Sequence, residues 1–160
     1  MSRWYTVPYT GTLTNTGGNA DLLELLPADD KPVRLHGFIL AQSTEVADAA
    51  EESLGLTVSR MTATVTTGNG TAVTPVPVDG ADTAFGGTAE CNGATVATTS
   101  GANTSFAELA WNVRNSPYEF WFKDPFIPSA KQGEGLFVRC NSTATDDITV
   151  CLTFFIEEIG

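Results

Sequence analysis

The sequence predicts an all-β protein: a two-sheet antiparallel β-sandwich, jelly-roll-like, with a long Thr/Gly/Ala-rich insertion. Three observations predict it. Apolar residues recur at every second position in segments near both ends of the chain, the period of a strand with one buried face. Only "EVADAAEESL" has a helix-forming composition, and its four acids Glu45, Asp48, Glu51 and Glu52 make it more simply a short acidic connection between two strands. The alternating segments flank a long polar excursion, and antiparallel strands joined across such an excursion suggest two packed sheets.

The elements follow in order. "WYTVPYT" opens the chain, and Pro8 inside it confines the run to a sheet edge or an arm, because proline has no N–H for a central ladder. "DLLELL" is second. "VRLHGFILAQ" sets Val33, Leu35, Ile39 and Ala41 on one side against Arg34, His36 and Gln42 on the other. "LGLTVSRMTATV" alternates Leu54, Leu56 and Val58 with Gly55, Thr57 and Ser59. From 66 to 104 the residues are mostly Thr, Gly, Ala, Asn and Pro, with turn pairs at Asn69-Gly70, Asp79-Gly80 and Asn92-Gly93. That composition builds a poor core and reads as a surface insertion with two short strands of its own.

"FAELAWNVR" and "YEFWFK" resume the alternation. "GLFVRCN" and "DITVCLTFFIEE" close it, the latter with a stripe of Ile148, Val150, Leu152, Phe154 and Ile156. The total is about eight strands. "STATDD" between the last two reads as a hairpin turn that places Leu136, Val138 and Cys140 opposite Phe154, Leu152 and Val150. Cys151 then points to the opposite face from Cys140. This favours buried free thiols at Cys91, Cys140 and Cys151, with a Cys140–Cys151 disulfide as the alternative.

The chain has 160 residues, enough for a single domain over 1–160 with its own core. Its 19 acidic and 8 basic residues give a net charge of -11. Such a surface repels phosphate backbones and anionic lipid, so neither nucleic acid nor membrane is expected as a partner. The start "MSRWYTVPYT" lacks the apolar core of a signal peptide, and the chain reads as cytoplasmically made.

Catalytic chemistry finds little support in these residues. His36 is the single histidine, with no second histidine for a metal cluster or a relay. No GxSxG elbow occurs, and "GNG" lacks the strand-to-helix setting of a phosphate loop. The acid pairs Asp29-Asp30 and Asp146-Asp147 read as solvated turns, and Glu157 and Glu158 point to opposite faces of a strand. The expectation is a non-enzymatic protein with no cofactor and no metal.

Aromatic residues carry the remaining information. In strand geometry Tyr118, Phe120 and Phe122 share one face of "SPYEFWFKDPF", and Trp121 lies on the other. Most of the cluster is then core, and Trp121 is its one interface candidate. Phe155 is likewise opposed to the final stripe, and second-face aromatics on two strands need a cover. The cover is the 66–104 excursion, another protomer, or a carbohydrate on Trp121. "SRWYTVPYTG" gathers Arg3, Trp4, Tyr5, Val7 and Tyr9, residue types favoured at interfaces. Residues 1–10 are read as an extended arm that pairs with a neighbour's sheet edge, and removing 2–10 is expected to leave the fold intact. The other reading is an ordinary first strand of the chain's own sheet.

Two longer stretches, "LHGFILAQSTEVADAAEESLGLTVSR" and "ELAWNVRNSPYEFWFKDPFIPSAKQGEGLFVRCNSTATDDITVCLTFFIEEIG", extend these patterns. Together with the aromatic first strand, they resemble the small virion proteins of tailed bacteriophages and prophages, over about two-thirds of the chain. The resemblance implies a capsid decoration or cement protein on the outer capsid surface, a homotrimer that ties neighbouring capsomers together. The major capsid protein would be its partner. It carries over no functional residues. On this view Arg3, Trp4, Tyr5, Val7 and Tyr9 contact the shell, and Trp121 and Phe155 contact another protomer. The alternative is a glycan- or receptor-binding sandwich of a tail or collar, with Trp121 or Trp111 as the stacking platform.

Overall fold

The computed structural model describes residues 1–13, 18–44, 52–115, 117–145 and 147–160. The acidic connection at Glu45, Asp48 and Glu51 lies outside them, as does Asp146 of the second turn pair. No helix occurs among the described residues, so none is long and apolar enough to cross a membrane.

All eight anticipated strands form. They are β1 (Ser2–Thr12), β2 (Ala20–Leu26), β3 (Val33–Gln42), β4 (Ser53–Met61), β10 (Asn103–Asn112), β11 (Tyr118–Trp121), β13 (Gly135–Cys140) and β14 (Thr149–Ile159). One sheet runs β11-β3-β14-β1 and the other β10-β4-β13-β2, with antiparallel pairing throughout. Successive long strands alternate between the sheets at nearly every step, which is the double Greek key of a jelly roll. Between the sheets lies one core, in which Tyr5, Val7, Phe38, Leu40, Leu56, Trp111, Val138 and Phe154 are at most 1% exposed.

Two strand readings change. The stripes of β13 and β14 do face each other's sheet, but across the core and not side by side. The two strands belong to different sheets, so "STATDD" is a crossover and not a hairpin. All three cysteines are free, Cys91 and Cys140 buried and Cys151 half-buried. Within β3 the alternation breaks at His36: Gly37 pairs with Phe155 while Leu35 pairs with Ile156, leaving His36 as an extra residue. A bulge of this kind reverses the facing of everything beyond it. Phe38 and Leu40 are therefore the core residues, and Ile39 and Ala41 face outward with half exposure.

The N-terminal segment is not a free arm. β1 lies beside β14 over its whole length, from Ser2 opposite Ile159 to Thr12 opposite Thr149. Proline is accommodated because the ladder on the other side is short. There β7 (Val76–Pro77) pairs only with Tyr5 and Thr6, and Val78 donates to the Trp4 carbonyl. By the alternation of the ladder, the side of Pro8 that lacks an N–H faces the uncovered stretch.

The excursion holds five short strands, not two. β5 (Val65–Thr66) pairs with β9 (Thr98–Thr99) as a separate ribbon. β6 (Thr71–Val73) and β8 (Thr88–Cys91) extend the second sheet beyond β2, and β7 extends the first. A further pair, β12 (Ser129–Ala130), joins β3 near Arg34. The loops between these strands fold over the outer face of the second sheet. There Met61, Ala97 and Phe137 form a small buried cluster against Leu26 and Val65. Two buried acids fasten them: the Ala97 N–H donates to Asp21 at 2.6 Å, and the Gly68 N–H to Glu24 at 2.9 Å.

Candidate interaction surfaces

Because the excursion covers the second sheet, the outer face of the first sheet stays open. Cross-strand register builds this face in two rows. In one, Thr6, Phe155, Gly37 and Trp121 lie side by side on β1, β14, β3 and β11; in the other, Trp4, Glu157 and Arg34 do. Trp121 stacks on Phe155 with ring centroids 4.6 Å apart. Gly37 makes that possible, since a Cβ there would lie 2.6 Å from the Trp121 ring. Trp4 packs on His36 at 4.3 Å. Even so, Trp4 is 44% and Trp121 47% exposed.

A polar group borders the Trp4 end. His36 Nε2 lies 2.9 Å from Glu157 Oε2, and Arg34 Nη1 lies 3.5 Å from the same oxygen. Burial pushes the Glu157 carboxyl up, but hydrogen bonds from Ser2 and His36 and the charges of His36 and Arg34 outweigh it, so the group sits below its usual value. Glu158 faces the other way, toward Arg3 at 3.6 Å and Lys31 at 3.9 Å. The two neighbouring acids therefore serve separate clusters.

The anticipated contact residues divide accordingly. Val7 is core. Tyr5 is 1% exposed and donates to the Thr83 carbonyl at 3.0 Å. Arg3 reaches Asp82 as well as Glu158, and the Tyr9 hydroxyl accepts from Asn92. Arg3, Tyr5 and Tyr9 thus hold the chain's own excursion, and of the five only Trp4 is presented outward. It joins Trp121 and Phe155 on one face. Trp111 is fully buried and offers no platform, a correction that follows from its place on the inner face of β10.

A second apolar surface went unanticipated. The sandwich gapes along the side where β10 and β11 are the sheet edges. Phe106, Ala107, Phe120, Phe122, Phe126 and Ile127 line a groove of about 490 Å³ there. Phe126 is 76% and Phe106 39% exposed. Arg60 closes one end, donating to the Ser129 carbonyl at 3.1 Å and lying 5.4 Å from the Phe106 ring centroid.

No family model matches the chain. No curated protein matches it either. Among solved structures, it aligns with a chain of the infectious bursal disease virus Gx strain at a TM-score of 0.22 and 12% identity, covering 99% of this chain and 41% of that one. The Gt strain gives a TM-score of 0.17 and 12% identity, with 99% and 40% covered. The chain spans about two-fifths of the length of these matched chains (41% and 40%). Likenesses of this size transfer neither fold nor function.

The groove escaped sequence reading for identifiable reasons. Phe106 sits in a bulge where the register of β10 shifts between Ser105 and Ala107, so strict alternation misplaces it. Phe126 follows Pro125 in a loop where no period applies. Its neighbouring prolines, Pro125 and Pro128, were the available signal, because they prevent β11 from continuing and burying the ring. No group of three or more His, Cys, Asp or Glu side chains is arranged to hold a metal among the described residues.

Proposed function

We propose that the chain is a non-enzymatic structural protein of a tailed-phage particle, one that decorates and stabilises the capsid as a homotrimer bridging neighbouring capsomers. The observation that carries this reading is the aromatic group of Trp4, Trp121 and Phe155 on the outer face of the first sheet. Loops of the 66–104 excursion cover the outer face of the other sheet and leave the outer face of this one bare. Exposed aromatic patches on a rigid sheet mark contact surfaces, and repetition over a lattice multiplies a modest contact. The jelly-roll architecture and the segment resemblance support the same reading, and the acidic surface suits the exterior of a DNA-filled shell.

The surface shifts relative to the sequence expectation, from an N-terminal arm to the outer face of the first sheet. Cryo-electron microscopy of the particle tests it. Trimeric density on the outer head lattice, with Trp4 or Trp121 against the major capsid protein or a second protomer, is the expected result. A Trp4→Ala, Trp121→Ala double variant that still decorates at wild-type occupancy would sink it.

A second reading, a glycan- or receptor-binding protein of tail or collar, is favoured by the polar group beside Trp4. Arg34, His36 and Glu157 offer hydrogen bonds next to an exposed indole face, the combination that sugar binding uses. Glycan binding lost in Trp4→Ala, with density at the tail in place of the head, would select it.

A further inference from the structure

Among the described residues, no strand pairs with the outer side of the long edge strand β10. Val113 donates to Glu52 and Ala102 accepts from Thr62, so the residues in phase with them turn their backbone groups to β4. By alternation, the N–H and C=O of Glu108 and Ala110 point away from the sheet. Exposed edges of this length are usually blunted by proline, charged side chains, a bulge or a covering loop. Beyond the bulge at Phe106, the stretch Ala107–Asn112 has neither proline nor lysine, and Glu108 is its one charge.

Directly beside this edge runs the apolar groove. Phe120 and Phe122 form its floor from the opposite sheet, and Phe106 and Phe126 form its lips. Arg60 supplies a cation that has no carboxylate within ion-pair distance among the described residues, although the protein carries an excess of acids.

We infer that β10 and the groove receive an extended segment of a different polypeptide, added as a strand to β10. Its alternate apolar side chains would fill the groove, with one carboxylate facing Arg60. An unpaired row of backbone groups is matched by another extended backbone, and the groove supplies the side-chain selectivity that such strand addition needs. A second copy of this chain is a poor donor. Its strands of six residues or more, among the described residues, are hydrogen-bonded within its own sheets. Edge-to-edge pairing of two β10 strands would bring together their Glu108 side chains, the only charges on the strand. The inference rests on the structural-protein reading for the source of the segment, though not for the geometry of the slot.

Hydrogen exchange of the full chain, free and mounted on the purified particle, tests it. The Glu108 and Ala110 amides are expected to exchange about ten-fold or more slowly on the particle. Ala110→Pro removes an outward N–H at an exposed edge position, and Phe126→Ser alters a ring in solvent. Each is expected to keep the melting temperature while weakening mounting by about ten-fold or more. Mounting with unchanged exchange at both amides overturns strand addition and leaves the structural reading standing. Failure of the wild-type chain to mount overturns the structural reading. Strand addition is then decided in solution with a short synthetic Val/Thr-alternating peptide carrying one central Glu: protection of the two amides, abolished by Ala110→Pro, supports it, and no protection overturns it. A concentration-dependent dimer that protects the same amides would assign the slot to a second copy and overturn the hetero-partner.

Discussion

Glu24 shows how one side chain can set the pH response. It is buried in the middle of β2, accepts the Gly68 N–H, and is pushed up to about 7. Burial is the main cause; the Gly68 bond opposes it, and the charges of Asp21 and Glu90 add to it. Its folded value lies above the ordinary 4.5, so the folded state keeps the proton through a window in which the unfolded chain has released it. Stability from this group is therefore full below pH 4.5 and falls as pH rises to about 7. The change is on the order of 3 kcal/mol. Urea denaturation at acid and neutral pH should show that slope, and Glu24→Gln, which keeps an acceptor for Gly68, should flatten it. Glu157 acts in the opposite sense, its contribution being lost as pH falls from 4.5 through its lowered folded value. Gly37 is a second decisive residue. Gly37→Ala would put a Cβ 2.5 Å from the Phe120 carbonyl and against the Trp121 ring. A loss of about 1–3 kcal/mol is expected in chemical denaturation, with Trp121 fluorescence shifted as its ring is displaced.

Of the two readings of β1, a detachable arm and an ordinary first strand, its packing selects the second. Tyr5 and Val7 are buried, and the strand supplies one of the two ladders of β14 along its whole length, β3 supplying the other. Removing residues 2–10 should abolish cooperative unfolding, checked by circular dichroism and a thermal melt; a truncated chain that melts like the full one would contradict this. Strand β3 teaches a related lesson. Its sequence alternates plausibly in one register, but the bulge at His36 exchanges which residues are core. Phe38→Ala should cost about 3–5 kcal/mol, whereas Ile39→Ala at the half-exposed position should cost much less, and equilibrium unfolding of the two variants separates the registers.

At the scale of the molecule, the asymmetry between the two sheet faces governs behaviour. One is sealed by loops tied to Asp21 and Glu24, and the other carries exposed tryptophans. Asp21 also holds Arg139 through paired contacts at 2.6 and 3.0 Å, so it links the excursion to β13. Asp21→Asn should therefore release the excursion and destabilise the protein by about 3–5 kcal/mol, read as a lower denaturation midpoint and faster amide exchange near Ala97. The net charge of -11 repels itself throughout the surface. Raising salt toward physiological strength should increase the melting temperature by a few degrees, about 1 kcal/mol of relieved repulsion.

The sequence by itself determined the eight long strands, the all-β class and the opposed faces of Tyr118–Trp121, because period-two alternation is a local consequence of backbone geometry. It also placed Trp121 and Phe155 opposite the core stripe, and the structure adds that they touch. Which strands pair, where the excursion lies and which aromatics remain in solvent were decided only by tertiary structure. Alternation marks a face but names no neighbour: the stripes of β13 and β14 satisfy a hairpin as well as a sandwich, and packing between the sheets selects the sandwich. Bulges at His36 and Phe106 shift facing without altering composition. The 66–104 segment has few large apolar residues to declare its position, and its place is set by buried carboxylates that accept backbone N–H groups from distant loops. Such long-range polar bonds leave no periodic trace in a sequence, and here they decide which face of the protein is left open to solvent.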